Sequence, residues 1–91
     1  MIIEIKAVDH FGHDHQLDKT VGELSELIDA IVKYKLGECD ESAVIDEIAD
    51  VQVLLPQLIY ILEQKTGENI CKEVAKRRMF KLERLGGKLW K

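Results

Sequence analysis

The chain has 91 residues, of which 46% are hydrophobic and 33% charged, so it is long enough for one domain with a modest core. One Pro and six Gly argue against a disordered chain, two Cys are too few for a disulfide framework, and no apolar run approaches the roughly 20 residues that span a membrane. Since no secretion signal is visible either, we expect a cytoplasmic protein with reduced cysteines and no membrane partner.

The predicted elements begin with an N-terminal arm and a loop. Residues 2–8 alternate apolar and polar side chains well enough to predict a short strand or an extended segment. Residues 9–18 are polar around a glycine and predict a His-rich loop. The arm and the loop therefore precede a helical core over residues 20–85, and the whole chain, 1–91, is predicted to form one domain.

The loop contains a dense group of histidines, His10, His13 and His15. Imidazole is a ligand that suits zinc and nickel, so a metal site in the loop is one interpretation. A solvent-exposed loop is the commoner explanation for such a group. Phe11, or a histidine beside it, is a candidate for stacking on a nucleobase.

Three helices are predicted after the loop, over about residues 21–36, 40–65 and 69–85. The third has Asn69 as a possible N-cap. Glycines mark the three helix ends, at Gly37, Gly67 and the Gly86–Gly87 pair. Three helices joined by short loops predict an all-α bundle.

The helices differ in how much of their surface is apolar. In the first helix, which Asp18 or Thr20 is placed to cap, the apolar residues form a single stripe. The members of that stripe are Leu24, Leu27, Ile28 and Ile31. In the second helix, residues 51–62 are apolar on nearly every face, and Pro56 is expected to kink or split the helix. One three-helix chain cannot bury such a helix, so we expect a homodimer or homotetramer to complete the bundle.

Two pairs of acids lie one helical turn apart, Glu23 with Glu26 and Glu47 with Asp50. The second pair continues an aliphatic row of its helix, which favours an inward orientation. Antiparallel packing of the two helices brings four carboxylates together, and a bound cation relieves their repulsion. Oxygen ligands favour Mg²⁺ or Mn²⁺ over zinc. A solvated helix surface is the alternative, since acidic pairs at this spacing are common.

The acidic pairs occur in a recognisable context. Residues 22–27 read Gly-Glu-Leu-Ser-Glu-Leu, residues 45–51 read Ile-Asp-Glu-Ile-Ala-Asp-Val, and 20 residues separate Glu26 from Glu47. This combination resembles the E-E-x-x-E, spacer, E-x-x-D signature of the MazG-like nucleoside triphosphate pyrophosphohydrolases. The resemblance covers roughly residues 20–85.

The resemblance implies an all-α enzyme that uses Mg²⁺ to cleave a nucleoside triphosphate between the α and β phosphates, releasing a monophosphate and pyrophosphate. The metal ligands that it implies are Glu23, Glu26, Glu47 and Asp50. Glu23 or Glu26 is the candidate for orienting or deprotonating the attacking water. Two departures bear on activity and substrate preference: Gly22 stands where the family usually has the first Glu of its signature, and residues 1–15 do not show the family's leading helix.

The charge of the chain is unevenly distributed. Residues 1–71 hold five basic and 15 acidic side chains, whereas residues 72–91 hold eight basic and two acidic ones. Within the third helix, Arg77, Lys81 and Arg84 share one face. These three residues predict a phosphate-binding stripe, because guanidinium groups make bidentate contacts with phosphate. A solvated basic helix end is the alternative, since it also suits the helix dipole.

Three functional interpretations stay open. The first is the MazG-like pyrophosphohydrolase, and the second is a phosphoribosyl-ATP pyrophosphatase-like enzyme with the same acids. The third is a non-catalytic helical oligomerisation or adaptor module that retains the fold. A carboxylate-bridged di-iron bundle is disfavoured because no Glu-x-x-His occurs. The chain is acidic overall and its last helix has few aromatics, so we expect no nucleic-acid partner.

Overall fold

A computed structural model describes residues 2–90, and they form an all-α bundle, as the sequence predicts. The four helices are α1 (Ile2–Phe11), α2 (His13–Lys35), α3 (Glu41–Thr66) and α4 (Ile70–Leu89). The contacts divide the chain into two compact units, Met1–Ile61 and Leu62–Lys91, and each is described by itself. No helix within the described residues is long and apolar enough to cross a membrane.

The predicted extended arm is wrong, because residues 2–11 form helix α1. Their apolar positions fit both a strand and a helix, and packing against α2 decides between them, with Val8 fully buried. The hydroxyl of Tyr60 on α3 also donates a hydrogen bond to Asp9 Oδ1 at 3.1 Å, which ties α1 to α3. The predicted loop is wrong as well, since only Gly12, with a positive φ of 94°, separates α1 from α2.

Helix α2 begins about two turns earlier than predicted. Asp18 and Thr20 lie inside it and neither is its N-cap. The Thr20 hydroxyl instead donates to the carbonyl of Gln16 at 2.8 Å, a bond typical of a threonine within a helix. The predicted stop is confirmed: α2 ends at Lys35, and Gly37 follows with a φ of 73°.

Helix α3 spans Glu41–Thr66 without interruption, so the predicted split at Pro56 is wrong. Leu54 before the proline and Ile61 after it are both buried, and this packing keeps the two halves in one helix. The predicted stop is confirmed, because Gly67 has a φ of 74° and donates its N–H to the Glu63 carbonyl at 2.8 Å.

Helix α4 has the predicted cap and a later end. Asn69 Oδ1 accepts a hydrogen bond from the backbone N–H of Lys72 at 3.0 Å. The Gly86–Gly87 pair lies inside the helix, so the end predicted there is wrong. Neither glycine has a positive φ, and a glycine that keeps helical angles continues the helix at a cost of about 1 kcal/mol relative to Ala.

The core of the first unit is small and partly polar. Its buried residues are Val8, Ala30, Val51, Leu54, Ile61, Gln16, Thr20 and Gln57. The predicted apolar stripe of α2 is largely exposed, with Leu24, Ile28 and Ile31 between 38% and 64% exposed. The face that α2 turns inward therefore carries polar side chains, and these build the site.

Candidate functional site

Helices α2 and α3 bring the predicted acids together. Glu23 and Glu26 of α2 and Glu47 of α3 each offer a carboxylate oxygen, and these oxygens lie within 4.8 Å of one another. A second group, formed by Asp46, Glu47 and Asp50 on α3, meets the same distance. Glu47 belongs to both groups, so the five carboxylates form one continuous acidic cluster.

Two oxygens of the acidic cluster are buried without a hydrogen-bond partner, Glu23 Oε2 and Glu47 Oε2. A buried polar atom without a partner loses its hydration and gains nothing in return, so native structures contain few of them. The other oxygen of Glu23 lies 3.7 Å from Lys19 Nζ, and the Glu23 side chain is only 17% exposed. A bound cation would give these two oxygens the partners that they lack.

Electrostatics within the acidic cluster disfavours full ionisation. Burial raises the pKa of Glu47, and the negative charges of Glu26, Asp50 and Glu23 raise it further. Burial likewise raises the pKa of Asp50, with the charge of Glu23 as the next cause. A proton or a bound cation relieves this strain between like charges.

The donor set suits a hard divalent ion. It consists of carboxylate oxygens alone, which are the ligands that Mg²⁺ and Mn²⁺ prefer. Glu26, Asp46 and Asp50 are exposed, so a further ligand can approach the cluster from solvent. Asp46 was not among the predicted ligands, although its place four residues before Asp50 puts both on one face of α3.

Histidine takes no part in either group of metal ligands. Among residues 2–90, the two groups of side chains that lie close enough together to share an ion consist of carboxylates alone. His10, His13 and His15 lie on α1 and α2 and not in a loop, because α2 begins at His13. The zinc or nickel interpretation of this segment therefore gains no support from the described geometry.

A cavity of about 380 Å³ adjoins the acidic cluster. Its lining residues come from α1, α2 and α3, and they are Ala7, Phe11, His15, Gln16, Lys19, Glu23, Asp50, Val53, Leu54 and Gln57. Glu23 and Asp50 belong both to the lining and to the cluster. A ligand in the cavity thus lies beside the carboxylates.

The cavity contains a chain of hydrogen bonds between side chains. His15 Nδ1 lies 2.7 Å from Gln16 Oε1, and Gln16 Nε2 donates to Gln57 Oε1 at 2.7 Å. Gln57 Nε2 then donates to the Val53 carbonyl at 3.1 Å. Both glutamines are 3% exposed. This pair was not predicted from the sequence, whose signal for it is weak: Gln57 lies in a largely apolar run of α3 that also contains Gln52.

An aromatic pair stands at the same cavity. The rings of Phe11 and His15 are stacked, with centroids 5.2 Å apart and planes inclined by 21°. His10 contacts the edge of Phe11 at a centroid distance of 4.7 Å. The structure thus places the predicted stacking candidate, Phe11, in the wall of the cavity.

The predicted phosphate-binding residues lie on α4, in the second unit. Arg77, Lys81 and Arg84 are all exposed, and Arg77 Nε pairs with Glu73 Oε1 at 3.0 Å. Arg77 and Lys81 flank a shallow apolar groove along the helix. Their role in binding phosphate stays a prediction.

The described residues combine three chemical capacities in the first unit: hard-cation ligands, an apolar cavity with aromatic walls, and a buried pair of amides. Comparison of the chain with models of protein families, with curated proteins and with solved structures finds no match. The function is therefore inferred from the chemistry of these residues.

Proposed function

We propose that the protein is a Mg²⁺-dependent nucleotide pyrophosphohydrolase, which cleaves a nucleoside triphosphate between the α and β phosphates to give a monophosphate and pyrophosphate. The observation that carries the proposal is the acidic cluster at the edge of a cavity large enough for a nucleoside. The resemblance of residues 22–27 and 45–51 to the MazG-like signature points to the same reaction.

The residues that would hold Mg²⁺ are Glu23, Glu26, Glu47 and Asp50, with Asp46 as an additional ligand. Mn²⁺ suits the same oxygens. When bound, the ion supplies neutralisation of phosphate charge and a lower pKa for a coordinated water. The unpartnered oxygens of Glu23 and Glu47 support this assignment, because a bound cation would give each of them a partner.

Glu26 is the candidate for orienting the attacking water. Its carboxylate is exposed, whereas that of Glu23 is half-buried and contacts Lys19. In hydrolysis the water oxygen bonds to phosphorus, the phosphoanhydride bond breaks, and pyrophosphate leaves. The carboxylate that faces solvent can take the proton of the water and release it afterwards.

Basic side chains are assigned to the phosphates. Lys19 lines the cavity and contacts Glu23, so it stands beside the proposed ligands. Arg77, Lys81 and Arg84 supply three further cations on one face of α4. Guanidinium and ammonium groups both bind phosphate oxygens, arginine as a bidentate partner.

The leading helix of the family pattern has a counterpart here. Residues 2–11 form α1, and Ala7 and Phe11 from this helix line the cavity. Helix α1 supports the proposal at one of the two points where the sequence departs from the pattern. Gly22, the other point, lies within regular helix α2.

We also propose that two or four copies of the chain associate. The exposed large apolar side chains on α2 and α3 include Ile28, Ile31, Ile45, Ile48 and Leu55. Exposed apolar patches mark protein contacts, and these side chains are candidates for such a patch. The occupant that we assign is a second copy, because paired apolar faces of the same helices complete a bundle.

The test is pyrophosphate release from a panel of canonical and modified nucleotides, with phosphoribosyl-ATP included, in the presence of Mg²⁺. We expect release from at least one nucleoside triphosphate, and loss of release in Glu47→Gln and Asp50→Asn. Glu38→Gln is the matched control, because Glu38 is an exposed acid outside the acidic cluster. Release from phosphoribosyl-ATP alone would favour the second enzyme class.

One other candidate function has a specific observation in its favour. The extensive exposed apolar surface suits an oligomerisation or adaptor module that does no chemistry. This candidate predicts association without pyrophosphate release from any substrate. Full activity in both cluster variants would instead contradict the metal assignment while leaving the enzyme class in place.

A further inference from the structure

We propose that Lys19 couples metal binding to phosphate binding: its ammonium compensates the charge of the acidic cluster in the metal-free protein and contacts a phosphate of the nucleotide once Mg²⁺ occupies the carboxylates. The inference rests on the proposed function, since it concerns the charge balance of the same site. It is carried by the position of Lys19, which lines the cavity and lies 3.7 Å from Glu23.

The Lys19–Glu23 ion pair is a loose one. Its residues lie four positions apart on α2 with the lysine first, an order that stabilises a helix less than the reverse order does. The distance of 3.7 Å from Lys19 Nζ to Glu23 Oε1 is too long for a hydrogen bond. Since the Lys19 side chain is also 53% exposed, its ammonium can leave Glu23 for a ligand at little cost.

The same helix contains a pair of the opposite kind. Asp29 precedes Lys33 by four residues, and Lys33 Nζ lies 2.9 Å from Asp29 Oδ2. The hydrogen bond to Asp29 raises the pKa of Lys33. Lys33 is 51% exposed, as Lys19 nearly is, but its carboxylate lies outside the acidic cluster. This pair is therefore an internal reference for what a lysine on α2 does without the cluster.

The positive charge of Lys19 acts on both helices of the acidic cluster. On α2 it contacts Glu23, and on α3 it reaches Asp50, which lines the same cavity. Burial and the charge of Glu23 raise the pKa of Asp50, whereas the charge of Lys19 lowers it. Lys19 thus favours ionised carboxylates on both helices, in the same sense as a divalent ion.

This position puts Lys19 in competition with a metal. An ammonium beside Glu23 repels a divalent ion that binds the same carboxylate, so the lysine weakens metal binding by the cluster. Exposed ion pairs of this kind contribute little energy, which limits the effect to a few-fold change in affinity. Metal binding in turn weakens the attraction between Glu23 and Lys19, and the ammonium becomes available to another anion.

A phosphate bound at the cluster is the anion within reach of Lys19. The lysine lines the cavity beside Glu23 and Asp50, which are both proposed metal ligands. An ammonium group binds phosphate as a compact charge with three donors, and hydrogen bonds between charged groups are the stronger ones. Because Lys19 opposes the metal and attracts the phosphate, its loss is expected to change the two affinities in opposite directions.

The first measurement is metal binding alone. Titration with Mn²⁺, followed by the electron paramagnetic resonance signal of the free ion, gives the affinity of the cluster without any nucleotide. Lys19→Met removes the charge and keeps a good helix former, and we expect it to bind Mn²⁺ about two- to fivefold more tightly than the wild type. Lys19→Arg keeps the charge and is expected to match the wild type. Unchanged or weaker Mn²⁺ binding in Lys19→Met, or no Mn²⁺ binding by the wild type, would overturn the inference.

The second measurement is anion binding at saturating Mg²⁺. Imidodiphosphate, a pyrophosphate analogue that is not hydrolysed, serves as a probe that requires no choice of base. By isothermal titration we expect Lys19→Met to bind it about tenfold more weakly than the wild type, and Lys19→Arg to restore most of the affinity. Unchanged binding in Lys19→Met would overturn the inference. A purely structural role would weaken both ligands, so the opposite signs are the diagnostic result.

Lys33→Met is the matched control, because it removes the same charge from the same helix at a similar exposure. We expect it to leave both affinities unchanged, and a control that reproduced both shifts would overturn the inference as an effect of net charge. Opposite shifts in a protein that releases no pyrophosphate from any nucleotide would support the role of Lys19 and contradict the hydrolase. Absent shifts in a protein whose pyrophosphate release depends on Glu47 would overturn the inference and leave the proposed function in place.

Discussion

The two sides of helix α2 reverse the usual arrangement of a small helical protein. The inward side carries Gln16, Thr20, Glu23 and Ala30, and the outward side carries Leu24, Ile28 and Ile31. A helix that folds for stability alone turns its apolar stripe to the core. The difference teaches that the inward side of α2 contributes polar side chains to the candidate site, and it agrees with our proposal that the apolar side contacts a second copy of the chain.

Substitution of the two glutamates of α2 tests the inward side, and its expected effect is the largest. Glu23→Gln is expected to abolish Mg²⁺ binding and pyrophosphate release together, because the half-buried Glu23 is a proposed ligand. Glu26→Gln is expected to weaken Mg²⁺ binding less than Glu23→Gln does, because Glu26 is the exposed ligand of the pair, and to lose about 100-fold or more in turnover, because Glu26 is proposed to orient the water. Titration calorimetry with Mg²⁺ and the rate of pyrophosphate release distinguish the two, and exchanged phenotypes would reverse the assignment.

Substitution on the outward side tests association. Ile28 is 64% exposed, and a charge at this position opposes burial of the apolar face by a second copy. We expect Ile28→Glu to shift the protein to monomer in light scattering at concentrations where the wild type is a dimer or tetramer. Ile28→Met is the control and should keep the wild-type mass. An unchanged mass in Ile28→Glu would place the contact elsewhere.

Gly22 belongs to neither of these two sides of α2, and its substitution tests the conformation of the helix backbone. A Cβ at this position meets no other atom within 4 Å, so Gly22→Ala is expected to raise the free energy of unfolding by about 0.5–1 kcal/mol. This corresponds to a rise in Tm of several degrees for a small domain, measured by thermal melting. Gly12→Ala is the contrasting control and should destabilise, because Gly12 has a φ of 94°. Destabilisation by Gly22→Ala would show that the glycine has a role beyond the helix.

The pH dependence of stability gives the smallest effect. The pKa values of Glu47 and Asp50 are raised in the fold, so the unfolded chain releases these protons first as the pH increases. Without metal, stability is therefore expected to fall as the pH rises from the ordinary carboxyl pKa through the raised values, and to stay lower above them. Glu47→Gln should weaken this trend and melt at a higher temperature than the wild type near neutral pH. A wild type and variant with the same pH profile would contradict the proposed repulsion.

Several features could be predicted from the sequence because they depend on local chemistry. The all-α class, the stops at Gly37 and Gly67, the cap at Asn69 and the span of α3 follow from periodicity and from the preferences of single residues. The N-terminal segment was predicted wrongly because its apolar positions fit two periodicities. Contact of Val8 with the rest of the unit decided in favour of a helix.

The features of the candidate site likewise divide into those that the local sequence predicts and those that depend on helix packing. Spacing within α2 and within α3 placed each acidic pair on one turn, which requires no tertiary information. The contribution of Asp46, the orphaned oxygens and the glutamine pair depends on how the helices pack, because residues 41 positions apart in sequence meet in the Gln16–Gln57 hydrogen bond. A sequence pattern confined to one helix carries no information about a contact between two different helices.

The sequence by itself determined the all-α class, the cap at Asn69, the stops at Gly37 and Gly67 and the acidic pairs, since each depends on residues within a few positions of one another. Only the tertiary structure decided which face of α2 is inside. That choice turned a stripe of leucine and isoleucine outward and brought Gln16, Glu23 and Gln57 around one cavity. The physical reason is that burial depends on the helices packed alongside, and local spacing alone does not specify them.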